Sequence, residues 1–423
     1  MANVIDVLEA RGFIETMTDS GLRERAEKPM AVYCGFDPTA DSLHLGNLVG
    51  IMGLAWFQRY GHTPVVIVGG ATGFIGDPSG RSSERSFLDE PTLERNIEGI
   101  RKDLQGILEF GSGANPAKLL NNFDWYREMT CIEFLRGIGR YFRLGPMLAK
   151  DSVRSRLQSE EGMSFTEFSY QLLQGYDFLH LFDHHQVEVQ IGGSDQWGNI
   201  TAGTDLIRKV RCGAAHGLTF PLITRSDGKK FGKSEQGAIW LSAEKLSPYE
   251  FYQYLFRVAD ADVARLMRML TFMDLEEILQ IEQGMIQPGY VPNTAQKRLA
   301  EEITRIVHGE NGLKTALKAT QGMTPGADTA LDAVTLESLG SDVPTCFLAR
   351  NEVVGAKLID ILVAAGLQPS KGQSRRLVEN GGAYLNNIKI SSVDHTLADS
   401  DLIDDRLLLL AVGKKNKLLV KVQ

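Results

Sequence analysis

The sequence predicts an α/β protein in three parts: a parallel-sheet domain, an α-helical domain, and a small α+β module at the C-terminal end. Three observations predict it. Short β-branched runs that contain or end in glycine alternate with helical stretches through the first half, the pattern of a parallel sheet with ligands at its strand C-termini. From Ser247 to about Gln321 the apolar residues recur at helical spacing. From Arg350 onward, one or two helices mix with short strands and glycine turns.

Taken in order, MANVIDVLEARGFIETM lacks a basic region followed by a hydrophobic stretch, so it predicts a short amphipathic helix and not a signal or transit peptide. The strands are Met30 to Phe36, Pro64 to Gly70 and Val187 to Gly193, with PLIT as a further strand before a lysine-rich loop. FYQYLFRV and ADVARLMRMLTFM are helical. TPGADTALDAVTLESLGSDVPT is small and polar with proline near both ends, which predicts a linker. The expected divisions are therefore 1–246, 247–321, a linker over 322–349, and 350–423. A chain of 423 residues is too long for one ordinary core, in keeping with that division.

Composition excludes some classes of function. The chain is 43% hydrophobic and 23% charged, and a charged residue interrupts every run long enough to span a bilayer, so no membrane role is expected. The four cysteines are scattered without a Cys-x-x-Cys pair, which offers no metal site and points to a reducing compartment: the cytoplasm, or an organelle if an address is removed first. The net charge of −8 argues against wholesale wrapping by nucleic acid. From Arg350 to the end, however, 11 Lys/Arg stand against 8 Asp/Glu, and a basic tail on an acidic body favours a polyanion at that end.

Five patterns carry chemistry. Tyr33 to Asn47 (YCGFDPTADSLHLGN) runs from a strand through a proline turn to a helix expected to begin near Leu45. A helix N-terminus attracts phosphate oxygens, Gly46 permits close approach, and His44 and Asn47, three apart, can face one ligand. Lys230-Phe231-Gly232-Lys233-Ser234, inside SDGKKFGKSE, is a cationic loop able to close over a polyphosphate. VQIGGSDQWGNI places Gln190, Gly192, Gly193, Asp195 and Gln196 at a strand end. Tyr170, Gln174 and Asp177 fall at i, i+4 and i+7, one polar stripe on an otherwise apolar helix. Such a stripe needs buried partners or a ligand. Lys371, Arg375 and Arg376 gather at a helix start, with Lys414, Lys415 and Lys417 nearby in sequence. Taken singly, each has an ordinary structural explanation as a turn, a cap or a solvated face; their combination does not.

Together these strings resemble class I aminoacyl-tRNA synthetases. The His44 string is similar to the HIGH signature in its tyrosyl form, and the Lys230 to Ser234 loop to the KMSKS signature. Asn47 departs from the histidine of many members and is shared with the tryptophanyl branch, the alternative specificity. The resemblance covers nearly the whole chain, Thr324 to Thr345 being the least recognisable part, and Leu362 to Ile390 resembles an RNA-binding module shared with a ribosomal protein. A non-enzymatic RNA-binding relative would be expected to have damaged signatures, and a small-molecule nucleotidyltransferase would have no use for the tail.

The resemblance implies a Rossmann-like catalytic domain, a helical anticodon-side domain and an RNA-binding module, using MgATP as a substrate complex with no protein-bound metal. It implies that Tyr33 and Asp177 meet a phenolic hydroxyl, that Tyr170, Gln174 and Asp77 (in GGATGFIGDPSG) meet an ammonium group, and that Gln190 lines the same pocket. Thr39, His44, Asn47, Lys230, Lys233 and Ser234 would act on the phosphates and nucleotide, with Gly35, Asp37, Gly46, Gly192, Asp195 and Gln196 holding ATP. Arg208, Lys209 and Arg211 would meet the acceptor arm of tRNA, and Lys371, Arg375, Arg376, Lys414, Lys415 and Lys417 its phosphates. The family is dimeric, which implies a homodimer with Phe165 and the segment from Cys131 to Met147 at its interface.

Overall fold

The computed structural model describes residues 3–79, 89–160, 162–234, 237–323, 326, 331–337, 339, 343–413 and 416–423. Two compact units form: Met1–Ser242 with Ala259–Ala295, and Ala243–Val258 with Gln296–Gln423.

The first unit is built on six strands: β1 (Thr16–Met17), β2 (Ala31–Phe36), β3 (Thr63–Val68), β4 (Lys118–Asn121), β5 (Val187–Gly193) and β6 (His216–Phe220). Their order is β1-β6-β5-β2-β3-β4, parallel throughout except for β1 at the edge. From β2 the chain winds outward through β3 to β4, whereas β5 leads the other way to β6. The direction therefore reverses between β2 and β5, and a crevice opens beyond their C-terminal ends, where sheets of this kind bind ligands. Val65, Val66, Ile67 and Val68 are all buried, as expected of a parallel strand covered on both faces.

The helix that follows the His44 string, α1 (Leu48–Arg59), is buried from Leu48 to Phe57. Apolar side chains all round a helix demand cover on every side. Gly50 lies so close to the sheet that a Cβ there would sit 3.3 Å from Cys34 Sγ. The helices Asp260–Leu270 and Leu275–Met285 also belong to this unit, and Arg11 joins them by donating to the carbonyls of Arg268 (3.1 Å) and Thr271 (3.3 Å).

Three sequence expectations are corrected here. The helix expected near Leu45 starts at Leu48: residues 44–47 form a separate turn in which the His44 amide donates to Asn47 Oδ1 at 3.1 Å, so Asn47 bonds backward and does not cap the helix. The strand expected over PLIT ends earlier, at Phe220, and residues 221–224 bear only an isolated bridge from Thr224 to Lys230. The strand expected to reach Gly70 stops at Val68, and Gly70 opens a short helix, α2 (Gly70–Ile75).

In the second unit a hairpin of Ala383–Leu385 and Ile388–Lys389 joins a five-stranded sheet whose strands lie in the order Ile388–Lys389, Ala383–Leu385, Leu407–Val412, Asn416–Val422 and Thr345–Leu348. Asn386 and Asn387 turn that hairpin with positive φ, which asparagine tolerates. Leu336, Leu339 and Val343, from the segment expected as a linker, share a core with Tyr249, Ala319, Leu407 and Leu409. Among the described residues no helix is long and apolar enough to cross a membrane.

Candidate active site

Beyond β2 and β5 the polar stripe of the helix α3 (Phe165–His185) meets the sheet. Tyr33 on β2 is in register with Gln190 on β5, so the two side chains share one face. Both are buried, at 1% and 2% exposure, and neither the Tyr33 hydroxyl nor Gln190 Oε1 finds a hydrogen-bond partner among the described residues. Two such atoms on adjoining strands are unusual, because buried polar groups are nearly always paired. The Tyr33 ring packs edge-on against Phe178 at 5.2 Å between centroids. Burial, and then the Asp177 carboxylate, push its phenol well above the ordinary range.

Asp177 is held from both sides. Trp125 Nε1 donates to its Oδ1 at 2.8 Å and Asn122 Nδ2 to its Oδ2 at 3.1 Å. Burial raises its carboxyl to about 7 against these hydrogen bonds. Asn122 also donates to Thr72 Oγ1 (3.0 Å), Thr72 to Asp37 Oδ1 (2.9 Å), and the Tyr170 hydroxyl to Asp37 Oδ2 (2.9 Å). One network thus ties the stripe on α3 to the ends of β2, β3 and β4. Gly69 permits it: a Cβ there would lie 2.2 Å from both Asp37 Oδ1 and Thr72 Oγ1.

Asp37, expected on the nucleotide side, is therefore engaged with Tyr170 and Thr72. Burial, Asp37 and Asp77 together keep the Tyr170 phenol protonated, well above its ordinary range. Asp77 Oδ2 accepts from Gln196 Nε2 at 2.7 Å, which links the β3 and β5 ends. Gln174 is half-buried on the same helix. The result is a buried polar end at Tyr33 and Asp177, and an anionic end around Asp37 and Asp77. Thr72, Asn122 and Trp125 are absent from the sequence expectations; the only hint was the pair Asn121-Asn122 closing an apolar run.

The two signature strings meet. Leu45 N donates to Ile239 O (2.7 Å), Leu241 N to Leu43 O (2.9 Å) and Ile239 N to Gly232 O (2.9 Å), with a bridge between His44 and Trp240. Lys233–Ser234 pairs with Gly237–Ala238 as a small hairpin. Lys230 and Lys233 are exposed, and Thr39 is exposed at the end of β2. The His44 ring rests against Gly46, where a Cβ would meet it at 3.0 Å. Desolvation and then Asp77 raise the Asp195 carboxyl, against a hydrogen bond from Gln196 and the Lys230 charge. Gly35 faces solvent on β2. A Cβ at Gly192 would crowd Gln196 at 3.1 Å. The backbone of Ser234 is described; its side chain is not.

Beside Asp195 lies a cavity of about 700 Å³, lined by Phe142, Lys150, Trp197, Asp205 and Lys209 among others. Arg208 and Lys209 both pair with Asp205, and Arg211 pairs with Asp183 at 2.8 Å. Lys371, Arg375 and Arg376 are exposed on one short helix, with Lys371 paired to Asp360 at 2.9 Å. Lys417 is half-buried and donates to the Met323 carbonyl, turned inward unlike those three. Lys414 and Lys415 lie outside the described residues.

A five-strand parallel core with a reversal between β2 and β5, and a His-loop bonded to a lysine loop across that crevice, define a class I aminoacyl-tRNA synthetase. Residues 25–324 match the family described as tRNA synthetases class I (W and Y), and the chain belongs to it. Residues 335–420 match the tyrosine–tRNA ligase SYY-like C-terminal domain. The chain is 62% identical over 422 residues to a tyrosine–tRNA ligase of Protochlamydia amoebophila, covering 100% of this chain and 99% of the relative. It is 54% identical to the chloroplastic/mitochondrial tyrosine–tRNA ligase of Arabidopsis thaliana, covering 99% of this chain and 84% of the relative. A C-terminally truncated mitochondrial tyrosyl-tRNA synthetase of Coccidioides posadasii superposes with a TM-score of 0.66 at 33% identity, over 75% of this chain and 92% of the other.

Proposed function

We propose that this synthetase activates L-tyrosine with ATP and transfers it to tRNA(Tyr). The observation that carries the specificity is the buried Tyr33 hydroxyl near Asp177, which has no hydrogen-bond partner among the described residues. A phenol hydroxyl supplies a partner for Tyr33 and a further donor to the Asp177 carboxylate, beside Trp125 and Asn122. The ammonium of the substrate meets the anionic end around Asp77, Tyr170 and Gln174, and Gln190 lines the same pocket. The high identity to tyrosine–tRNA ligases supports this over the tryptophanyl alternative.

The chemistry needs no protein nucleophile. The tyrosine carboxylate attacks the α-phosphorus of MgATP in line, pyrophosphate leaves, and the tRNA terminal hydroxyl then attacks the adenylate. Positioning and electrostatic stabilisation supply the rate. His44 and Thr39 contact phosphate as charge develops; Gly46 and Asn47 hold the nucleotide; Lys230, Lys233 and Ser234 neutralise the leaving pyrophosphate. Asp195, Gln196, Gly192 and Gly35 border the ribose and base. Arg208 and Lys209 lie toward the acceptor arm, and Lys371, Arg375 and Arg376 toward the tRNA body. The enzyme acts as a homodimer: Ile132, Leu144 and Phe165 are 71%, 67% and 76% exposed, large apolar side chains that a partner would cover. It acts where tRNA is charged, in the cytoplasm or, like the Arabidopsis relative, in an organelle.

Pyrophosphate exchange measured with each of the twenty amino acids tests the assignment. Exchange with tyrosine alone is expected; exchange with tryptophan instead would replace it with the tryptophanyl alternative.

A further inference from the structure

The helix Glu90–Gln105 runs beside the turn that leads into the His44 loop. Contact is so close that a Cβ at Gly99 would lie 1.9 Å from the Asp41 carbonyl oxygen. One turn further along, Asp103 Oδ2 accepts from the Leu43 amide at 2.7 Å and from the Ser42 hydroxyl at 2.8 Å. Ser42 is itself buried, and its Oγ accepts from the Ser242 amide at 3.1 Å. Ser242 ends the segment that pairs with residues 43–45 and bonds to Gly232 through Ile239. A continuous chain of hydrogen bonds thus runs from one carboxylate oxygen, through the backbone before His44, to the backbone of the lysine loop.

We infer that Asp103 is a positioning residue for adenylate formation: it sets the register of the His44 loop against the Lys230–Lys233 loop while touching neither substrate. Ion pairing with a ligand does not explain it, because its contacts are to Ser42 and Leu43. The geometry also specifies what the side chain must supply. A single oxygen, Oδ2, accepts both bonds, so an amide oxygen can replace it and a methyl group cannot. A small displacement of one loop against the other misaligns groups that must act together on the triphosphate, and displacement near 1 Å can lower a rate about 100-fold. The tyrosine pocket, built from α3 and the ends of β2 to β5, is held by a separate network and is left in place.

The inference rests on the proposed tyrosine activation, and the test separates the two. Tyrosine-dependent pyrophosphate exchange is measured for the wild type, Asp103→Ala, Asp103→Asn, Ser42→Ala and the Ser42→Ala/Asp103→Ala pair, alongside tyrosine binding followed by intrinsic fluorescence. Asp103→Ala is expected to lower kcat by about 10- to 100-fold, with the tyrosine dissociation constant within about twofold of wild type. Asp103→Asn should recover most of the rate. The double variant should be no slower than Asp103→Ala, because both changes cut one chain. Should Asp103→Ala fail to fold, Ser42→Ala alone must still slow exchange without weakening tyrosine binding. Wild-type rates in Asp103→Ala, parallel loss of rate and tyrosine affinity, additive effects in the pair, or a silent Ser42→Ala where that variant stands alone would each overturn it. Absence of tyrosine-dependent exchange in the wild type would instead remove the functional assignment.

Discussion

Gly232 stands backbone to backbone with Gly46: a Cβ at 232 would lie 2.8 Å from the Gly46 nitrogen. Its φ of +82° also lies in the region that non-glycine residues enter at about 1–2 kcal/mol. The lysine loop can therefore come this close to the His44 loop only because residue 232 is glycine. Gly232→Ala is expected to lower pyrophosphate exchange at least tenfold, an expectation scaled from a loop displacement near 1 Å, with tyrosine affinity unchanged. Equal rates before and after the change would mean that the contact plays no part in activation.

Lys233 lies just past that contact and is exposed. Its ammonium has most to do when charge accumulates on the departing pyrophosphate, so it stabilises the transition state more than bound tyrosine. Lys233→Ala should cut adenylate formation by orders of magnitude in stopped-flow assays while tyrosine binding barely changes. Near-normal activation would remove this loop from the mechanism.

Tyr33→Phe should move stability and recognition in opposite directions. The buried hydroxyl has no partner among the described residues, and removing an unsatisfied polar group recovers part of a desolvation cost of about 1–3 kcal/mol. The variant is expected to have a higher Tm in the absence of substrate. It should also bind tyrosine about fivefold more weakly, the loss of one hydrogen bond near 1 kcal/mol, and discriminate less against phenylalanine. A lower Tm, or discrimination equal to that of the parent, would place the hydroxyl elsewhere.

Asp177 predicts a pH dependence. Its carboxyl is raised by burial to about 7, above the ordinary value of 3.8. Between those values the folded state binds more protons than the unfolded one, so this group's contribution to stability falls as pH rises from about 4 to about 7. Recognition has the opposite sign, because only the ionised carboxylate is a pure acceptor for a phenol. Tyrosine affinity should therefore strengthen as pH rises through about 7 and level off above it, and Asp177→Asn should flatten that profile. A flat wild-type profile between pH 5.5 and 8.5 would exclude Asp177 as the acceptor.

The sheet strands β2 and β5 were legible because short strand-like runs that contain or end in glycine leave few alternatives, and the Tyr170 to Asp177 stripe because its spacing matches one helix face. The partners of Asp177 were not. Asn122 and Trp125 come from the end of a short strand and a four-residue helix, Phe123–Tyr126, where no periodicity exists to mark them. Residues 44–47 misled for a related reason: Asn47 returns its side chain to the His44 amide, which delays the helix by a turn that residue order alone does not reveal. Composition hid this packing: Leu336, Leu339 and Val343 enter the second unit's core, with Leu331 and Ala333 packed against it, from a stretch rich in small polar residues.

That shared core decides how the basic tail should be tested. Ending the chain near Gln321 would strip Tyr249 and Ala319 of their packing against Leu336, Leu407 and Leu409, so truncation would confound folding with tRNA binding. Arg375 and Arg376 are exposed on the helix Lys371–Glu379, whose buried face is carried by Ser374 and Val378, so replacing both arginines by alanine leaves that face intact. The double variant should exchange pyrophosphate at the parent rate, since tRNA takes no part in that step. It should bind tRNA more weakly, and the plot of log affinity against log salt should become shallower by about 1 for each phosphate that an arginine no longer neutralises. Lys417 provides the contrast. Its ammonium is turned onto the Met323 carbonyl, so Lys417→Ala should lower Tm more than it changes the salt slope. An unchanged slope in the Arg375→Ala/Arg376→Ala protein would reduce this helix to a solvated surface and move the tRNA contact elsewhere.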